Sequence, residues 1–256
     1  MAEPGAKRHR EAKSRDRMDG RQREVTTSHA QIEHIIRHIN QIQQKTCLRW
    51  VEKKLLKGVR KSVEFVHTKK DSLDCYTREV GDAKSEIRSI ITLGDDCFPR
   101  ESVIHEMLHA LGFLHEHQRI DRDCYVIVKE KYAKSDLDFK IVYDDDVFEK
   151  WPYDKRSITH YTRLSYALRD KDEPFGGLFF QYRLGDSFGS WGQIGHRTGL
   201  LTCLDVHKIK YRYCGAPDFC DIQPKMCKDT EEEEVKSGCK ELYVDIAKNK
   251  VKPNPT

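Results

Sequence analysis

The sequence predicts an α+β protein, and three observations carry that prediction. A capped helix with an apolar stripe opens the folded part, short β-branched runs follow, and a second helix carries paired histidines. Ser28 stands at an N-cap with Gln31 three residues on, a capping box in which the two side chains satisfy two orphan backbone donors reciprocally. Ile32, Ile35, Ile36, Ile39 and Ile42 then recur at helical spacing opposite His34, Arg37 and Gln41. The pattern predicts a helix over about 28–45, with His29, His34 and His38 at exposed polar positions. Val51, Val63 to Val66 and Ser89 to Leu93 read as strands, the last ending at the turn Gly94-Asp95-Asp96. With the histidine helix they predict a twisted sheet backed by two helices. Beyond His115 the chain turns irregular, rich in Gly, Asp and Arg, until a last helix near 202–212. Two lobes with a long cleft between them are expected.

Composition narrows the class of function. At 256 residues the chain can hold one sizeable domain, or two modest ones, plus tails, and its 38% of hydrophobic residues is scarcest at Met1 to Arg23 and Cys227 to Thr256. The net charge of +4 comes largely from Lys7 to Arg23. That leader lacks the aromatic interleaving of a nucleic-acid binder, so residues 1–26 are read as a basic disordered leader or pro-segment remnant. Glu231 to Glu234 reads as a solvated face. No run of 18 apolar residues occurs, so no membrane span is expected. The 9 cysteines point to an oxidising compartment and hence to secretion. Being odd in number, they leave at least one free or bonded to another chain. Yet Met1 to Gly5 opens no signal peptide, so the sequence is expected either to lack its natural beginning or to have its start incorrectly assigned. Oligomeric state is not legible.

The chemistry lies in His105-Glu106-Met107-Leu108-His109-Ala110-Leu111-Gly112-Phe113-Leu114-His115. His105 and His109, four apart on a helix, project from one face and can share a metal. Gly112 can take the left-handed conformation that ends a helix sharply. That exit brings His115 round as a third ligand and leaves a fourth position open, the arrangement of a catalytic zinc ion. Glu106 sits beside the first ligand, where its carboxylate can take a proton from water without being a ligand itself.

The residues continue as Glu116, His117, Gln118, Arg119, then Asp121-Arg122-Asp123-Cys124-Tyr125-Val126. Thr46 to Trp50, Ser157 to Tyr161, Gly199 to Leu201, Asp205-Val206 and Tyr211 to Cys214 add to the pattern. From about 27 to 214 this resembles the astacin family of zinc endopeptidases, of metzincin type. The resemblance implies one catalytic zinc on His105, His109 and His115, Glu106 as proton shuttle, and Tyr161 as the tyrosine that supports the oxyanion. It implies disulfides Cys47–Cys214 and Cys75–Cys97, which would leave at least one of Cys124, Cys203, Cys220, Cys227 and Cys239 free or bonded to another chain, and a catalytic domain over 27–214. Residues 215–256 remain a cysteine-containing tail without an assigned fold. The spacing of Cys220, Cys227 and Cys239 faintly resembles the start of a small six-cysteine module.

Two departures stand out. Thr159 occupies the place where the family has a methionine beneath the histidines, and a buried hydroxyl there needs a partner. Glu116 would engage the mature amino terminus, but no first strand is recognisable ahead of Ser28, and Asp19-Gly20 is too slight for an inhibitory segment. The partner of Glu116 is therefore unnamed. The substrate is expected to be a protein or peptide bound extended along the cleft, pairing with an edge at Ser89 to Leu93. Arg183, Arg197 and the Phe175 to Phe180 loop are candidates for the primed side. The alternative is a catalytically silent zinc-binding or matrix-interaction protein, suggested by Thr159 and the missing strand.

Overall fold

The capping box forms as its residues dictate. In the computed structural model, Ser28 N donates to Gln31 Oε1 at 2.8 Å and Gln31 N to Ser28 Oγ at 3.3 Å, and helix α1 runs from His29 to Lys45. The structure describes residues 13–18, 21–55, 62–69, 75–78, 80–81, 88–98, 101–128, 139–142, 151–162, 180–182, 195 and 200–236. Arg183, Arg197, Gly199, Asp19, Gly20, Cys239 and nearly all of the 175–180 loop lie outside them. Ile35 and Ile42 are buried, as the stripe requires, but so is His38, at 8% exposure. The expectation of an exposed His38 is thus corrected: it shares the inner face with the isoleucines.

The chain divides into two compact units, one of residues 1–44 and 49–112 and the other of 45–48 and 113–256. In the first, β3 (Val63–His67), β4 (Cys75–Arg78) and β5 (Ser89–Leu93) form a sheet of order β3-β5-β4. Strands β3 and β5 are parallel, β4 and β5 antiparallel. This corrects the edge expected at Ser89 to Leu93. Strand β5 is central, with Ser89, Ile91, Thr92 and Leu93 all buried, as a near-continuous apolar run demands of a strand covered on both faces. The edges are β3 and β4. Val51 is not a strand either. It is half exposed and leads into a 3-10 turn at Lys53–Leu55, where charged residues offer no alternation to pair.

Ahead of α1, the expected unstructured arm contains an antiparallel hairpin, β1 (Lys13–Met18) with β2 (Arg21–Thr26). Its register sets Arg15 opposite Glu24 and Asp16 opposite Arg23. Helix α2 (Ser102–Ala110) buries Val103, Ile104, Met107 and Leu108. Gly81 packs against its end: Gly81 N donates to His109 O at 2.9 Å, and a Cβ there would stand 2.0 Å from Ala110 O. The Cys75–Cys97 disulfide ties β4 to the turn after β5.

The second unit holds a short ladder of β6 (Val126–Val128) with β7 (Phe180–Tyr182), and helix α3 (Cys203–Cys214). Thr202 and Asp205 cap α3 with a second capping box, and Gly215 ends it in the left-handed conformation. Residues past Cys214, which the sequence left without a fold, form α4 (Phe219–Ile222) and α5 (Pro224–Lys236), linked by a Cys220–Cys227 disulfide. Trp151, fully buried, donates from Nε1 to Asp218 at 3.0 Å and meets the Phe219 ring, so the start of the tail packs into this unit. Cys47 is joined to Cys214, Cys124 is also disulfide-bonded, and Cys203 is free and exposed.

Candidate active site

The histidines are set by one continuous segment. Helix α2 brings His105 and His109 into register one turn apart, with their Nε2 atoms 3.0 Å from one another. Gly112, at φ 87°, turns the chain out of the helix, and Gly112 N donates back to His109 O at 2.8 Å. One ring nitrogen from each of His105, His109 and His115 then lies within 4.8 Å of the other two. Tetrahedral zinc, with Zn–N bonds of about 2.0–2.1 Å, holds its nitrogens roughly 3.3 Å apart. The residues fit such an ion with only a slight closing of His115, whose Nδ1 lies 2.8 Å from Gln118 Oε1. That contact is an orienting partner of the kind metal-binding histidines carry.

Glu106 is buried at 5% exposure beside His105. Burial pushes its carboxyl pKa up, against the opposing pull of His105 and of a hydrogen bond from Thr77. Thr77, on the edge strand β4, places its hydroxyl 2.7 Å from Glu106 Oε2 and 2.9 Å from Glu106 O, where it can donate to either. The sequence reading missed Thr77. Its only signal was a polar residue two places after Cys75, on the inward side of a four-residue strand.

Tyr161 lies on the turn Ser157 to Tyr161. Its ring centre is 4.5 Å from that of His115 and 4.2 Å from that of His117, and its backbone N–H donates to His117 Nδ1 at 3.3 Å. The turn is held from behind. His160 is buried, contacting Tyr153 Oη at 2.8 Å through Nε2 and Tyr161 O at 2.7 Å through Nδ1. Burial lowers its pKa to about 4, outweighing the Tyr161 carbonyl and Glu116, so it is a neutral imidazole with its proton on Nδ1. Thr159 is buried, and its hydroxyl has the partner it needs, Ser157 Oγ at 3.0 Å. Ser157 Oγ donates to Asp205 Oδ1 at 2.7 Å and Ile158 N to Asp205 Oδ2 at 3.0 Å, so the cap of α3 also anchors the turn.

Glu116, whose partner the sequence left unnamed, is 3% exposed and has three. Lys208 Nζ from α3 bonds its Oε2, while Arg119 Nη1 and Asp154 N each donate to Oε1 at 3.0 Å. Burial alone would raise the Glu116 pKa, but the Lys208 and Arg119 charges and these hydrogen bonds hold it down at about 2. Arg119 also forks onto Asp121, at 2.9 and 2.7 Å. Lys208 is three residues after Asp205 on α3, a spacing that gives no hint of Glu116, 92 positions away. Asp154 goes the other way: burial, then Asp205 and Glu116, raise it to about 6 against a hydrogen bond from Thr202.

An α+β fold carrying three histidines on a helix and its exit turn defines a metalloprotease-type protein, and comparison with known families makes this specific. The model of Astacin (peptidase family M12A) matches residues 22–214. The chain belongs to the astacin family, whose members are zinc-dependent peptidases. Zinc metalloproteinase nas-14 of Caenorhabditis elegans is 28% identical over 141 residues, 54% of this chain and 27% of that protein. Nematocyst expressed protein 6 of Nematostella vectensis is 28% identical over 225 residues, 86% of this chain and 67% of that protein. Meprin A subunit alpha of Mus musculus is 36% identical over 90 residues, 34% of this chain and 12% of that one. The chain matches only 27% and 32% of the lengths of the worm proteinases nas-14 and nas-7. Among solved structures, high choriolytic enzyme 1, a hatching-enzyme zinc-protease of the medaka Oryzias latipes, shares the fold at TM-score 0.58 and 24% identity. That match covers 72% of this chain and 82% of the fish enzyme.

Proposed function

We propose that the chain is a secreted zinc endopeptidase that hydrolyses internal peptide bonds, with residues 27–214 as its catalytic domain and 215–256 as an appended tail. The observation that carries this reading is a buried carboxylate, Glu106, on the same helix turn as imidazole nitrogens gathered within 4.8 Å. His105, His109 and His115 would hold the ion. A bound zinc supplies Lewis-acid polarisation of the scissile carbonyl and of water. With Thr77 on Glu106 Oε2, Glu106 Oε1 is the atom offered to the water proton, and the same carboxyl then delivers that proton to the leaving amine. The phenol of Tyr161 donates to the oxyanion that develops as the carbonyl is attacked. A substrate peptide lies extended along the β4 edge, whose backbone offers strand pairing and whose Thr77 reaches the base.

The test uses two variants of the full chain. Glu106→Gln keeps stoichiometric zinc by metal analysis and loses nearly all cleavage of a denatured protein, while His109→Ala loses both. Undiminished proteolysis in Glu106→Gln removes the assigned base. A wild-type chain that binds zinc and cleaves nothing overturns the peptidase reading in favour of the silent zinc-binding alternative.

A further inference from the structure

Helix α1 carries a second pair of histidines built like the first. His34 and His38 stand four residues apart with Nε2 atoms 3.0 Å from each other, ring centres 4.8 Å apart and planes at 68°. For His105 and His109 the same quantities are 3.0 Å, 4.6 Å and 84°. We propose that His34 and His38 form an accessory site for a late first-row divalent metal, zinc or copper, separate from the three-histidine set.

Three features support it. Two imidazoles that turn nitrogen toward nitrogen at this distance repel through their lone pairs unless a proton or a cation sits between them, and imidazole is a ligand suited to zinc and copper. The Phe98 ring stands edge-on to His34 at 6.4 Å and 84°, which restrains the rotamer that faces His38. His38 lies on the buried side and His34 at the half-exposed rim, so solvent reaches the outer side of the pair and water completes the coordination.

Among the described residues the three-histidine set is the one group of three or more metal-capable side chains, so the α1 site has two protein ligands. With one ligand fewer and the Arg37 cation adjacent, it binds more weakly and gives up its metal first to a chelator. The site does not depend on the proposed peptidase reading.

Equilibrium dialysis of the full chain against zinc, with metal counted per chain, decides the matter. The wild type is expected to take up one tightly held and one chelator-labile equivalent. His34→Gln, a change at the rim that leaves the buried His38 in place, keeps the tight equivalent and loses the labile one. His109→Ala does the reverse. Copper loaded at the labile position should show two nitrogen ligands by electron paramagnetic resonance in the wild type, and no such signal in His34→Gln. Saturation of the wild type at one equivalent, or survival of the labile equivalent in His34→Gln, overturns the proposal and leaves the pair as a hydrogen-bonded couple.

Discussion

Thr77 shows how much one hydroxyl can decide. It touches both the carboxylate and the backbone carbonyl of Glu106, so the edge strand and the proposed base are held in one register. A hydrogen bond to a charged group contributes about 1.5–3 kcal/mol. If that bond counts only once the base is working, Thr77→Val lowers kcat about ten-fold or more. KM and zinc content stay unchanged, and Thr77→Ser retains the rate. Steady-state kinetics on the three forms check this, and a valine variant with full kcat reduces Thr77 to packing. Residues of this kind are poorly legible in sequence. His105, Glu106, His109, Gly112 and His115 announce themselves because local helix geometry alone relates them. Thr77 meets Glu106 across 29 positions, and Lys208 meets Glu116 across 92, through packing that no local pattern encodes.

At the scale of elements, α1 was legible because capping and periodicity are local physics. The Ser28–Gln31 box and the apolar stripe fixed α1 within a residue of its observed start. Strand β5 was legible as a strand, but its place in the sheet depends on which partners flank it, and short polar β4 gave no sign of being the edge. The hairpin of β1 and β2 escaped notice because its paired positions carry charges instead of alternating apolar residues. Asp205 joins two elements, capping α3 through Thr202 N while accepting from Ser157 Oγ and Ile158 N on the turn that carries Tyr161. Loss of an ordinary N-terminal cap costs about 1 kcal/mol. Asp205→Ala also strands buried donors worth about 1–3 kcal/mol each, so the expected loss is about 3 kcal/mol or more. Urea unfolding measures it. A loss near 1 kcal/mol means the turn finds its donors other partners.

Across the whole molecule, opposing titrations set the acid response. His160 falls from 6.5 to about 4 on folding, so the unfolded chain binds the extra proton and stability is lost as pH drops from 6.5 towards 4. Glu116, lowered from 4.5 to about 2, contributes stability that is present above 4.5 and lost as pH falls towards 2. Asp154 has the opposite sign. Raised from 3.8 to about 6, it holds its proton in the folded state, so its penalty appears as pH rises through that window and fades as pH falls. Asp154→Asn is therefore expected to be more stable than wild type at pH 7 and to lose stability more steeply between pH 6 and 4. Thermal midpoints across that range test both halves, and parallel curves for the two proteins contradict the assignment. The Lys208–Glu116 contact carries a consequence for order in time. The cation that Glu116 takes from α3 lies on a helix synthesised 92 residues later, and Cys214, at the end of the same helix, closes a covalent loop of 167 residues back to Cys47. A ribosome-bound chain can therefore wind α2 and expose its histidines early, yet it cannot give the neighbouring carboxylate this counter-ion until α3 has emerged. The histidine segment is made 92 residues before the lysine that completes the ion pair of its neighbouring carboxylate.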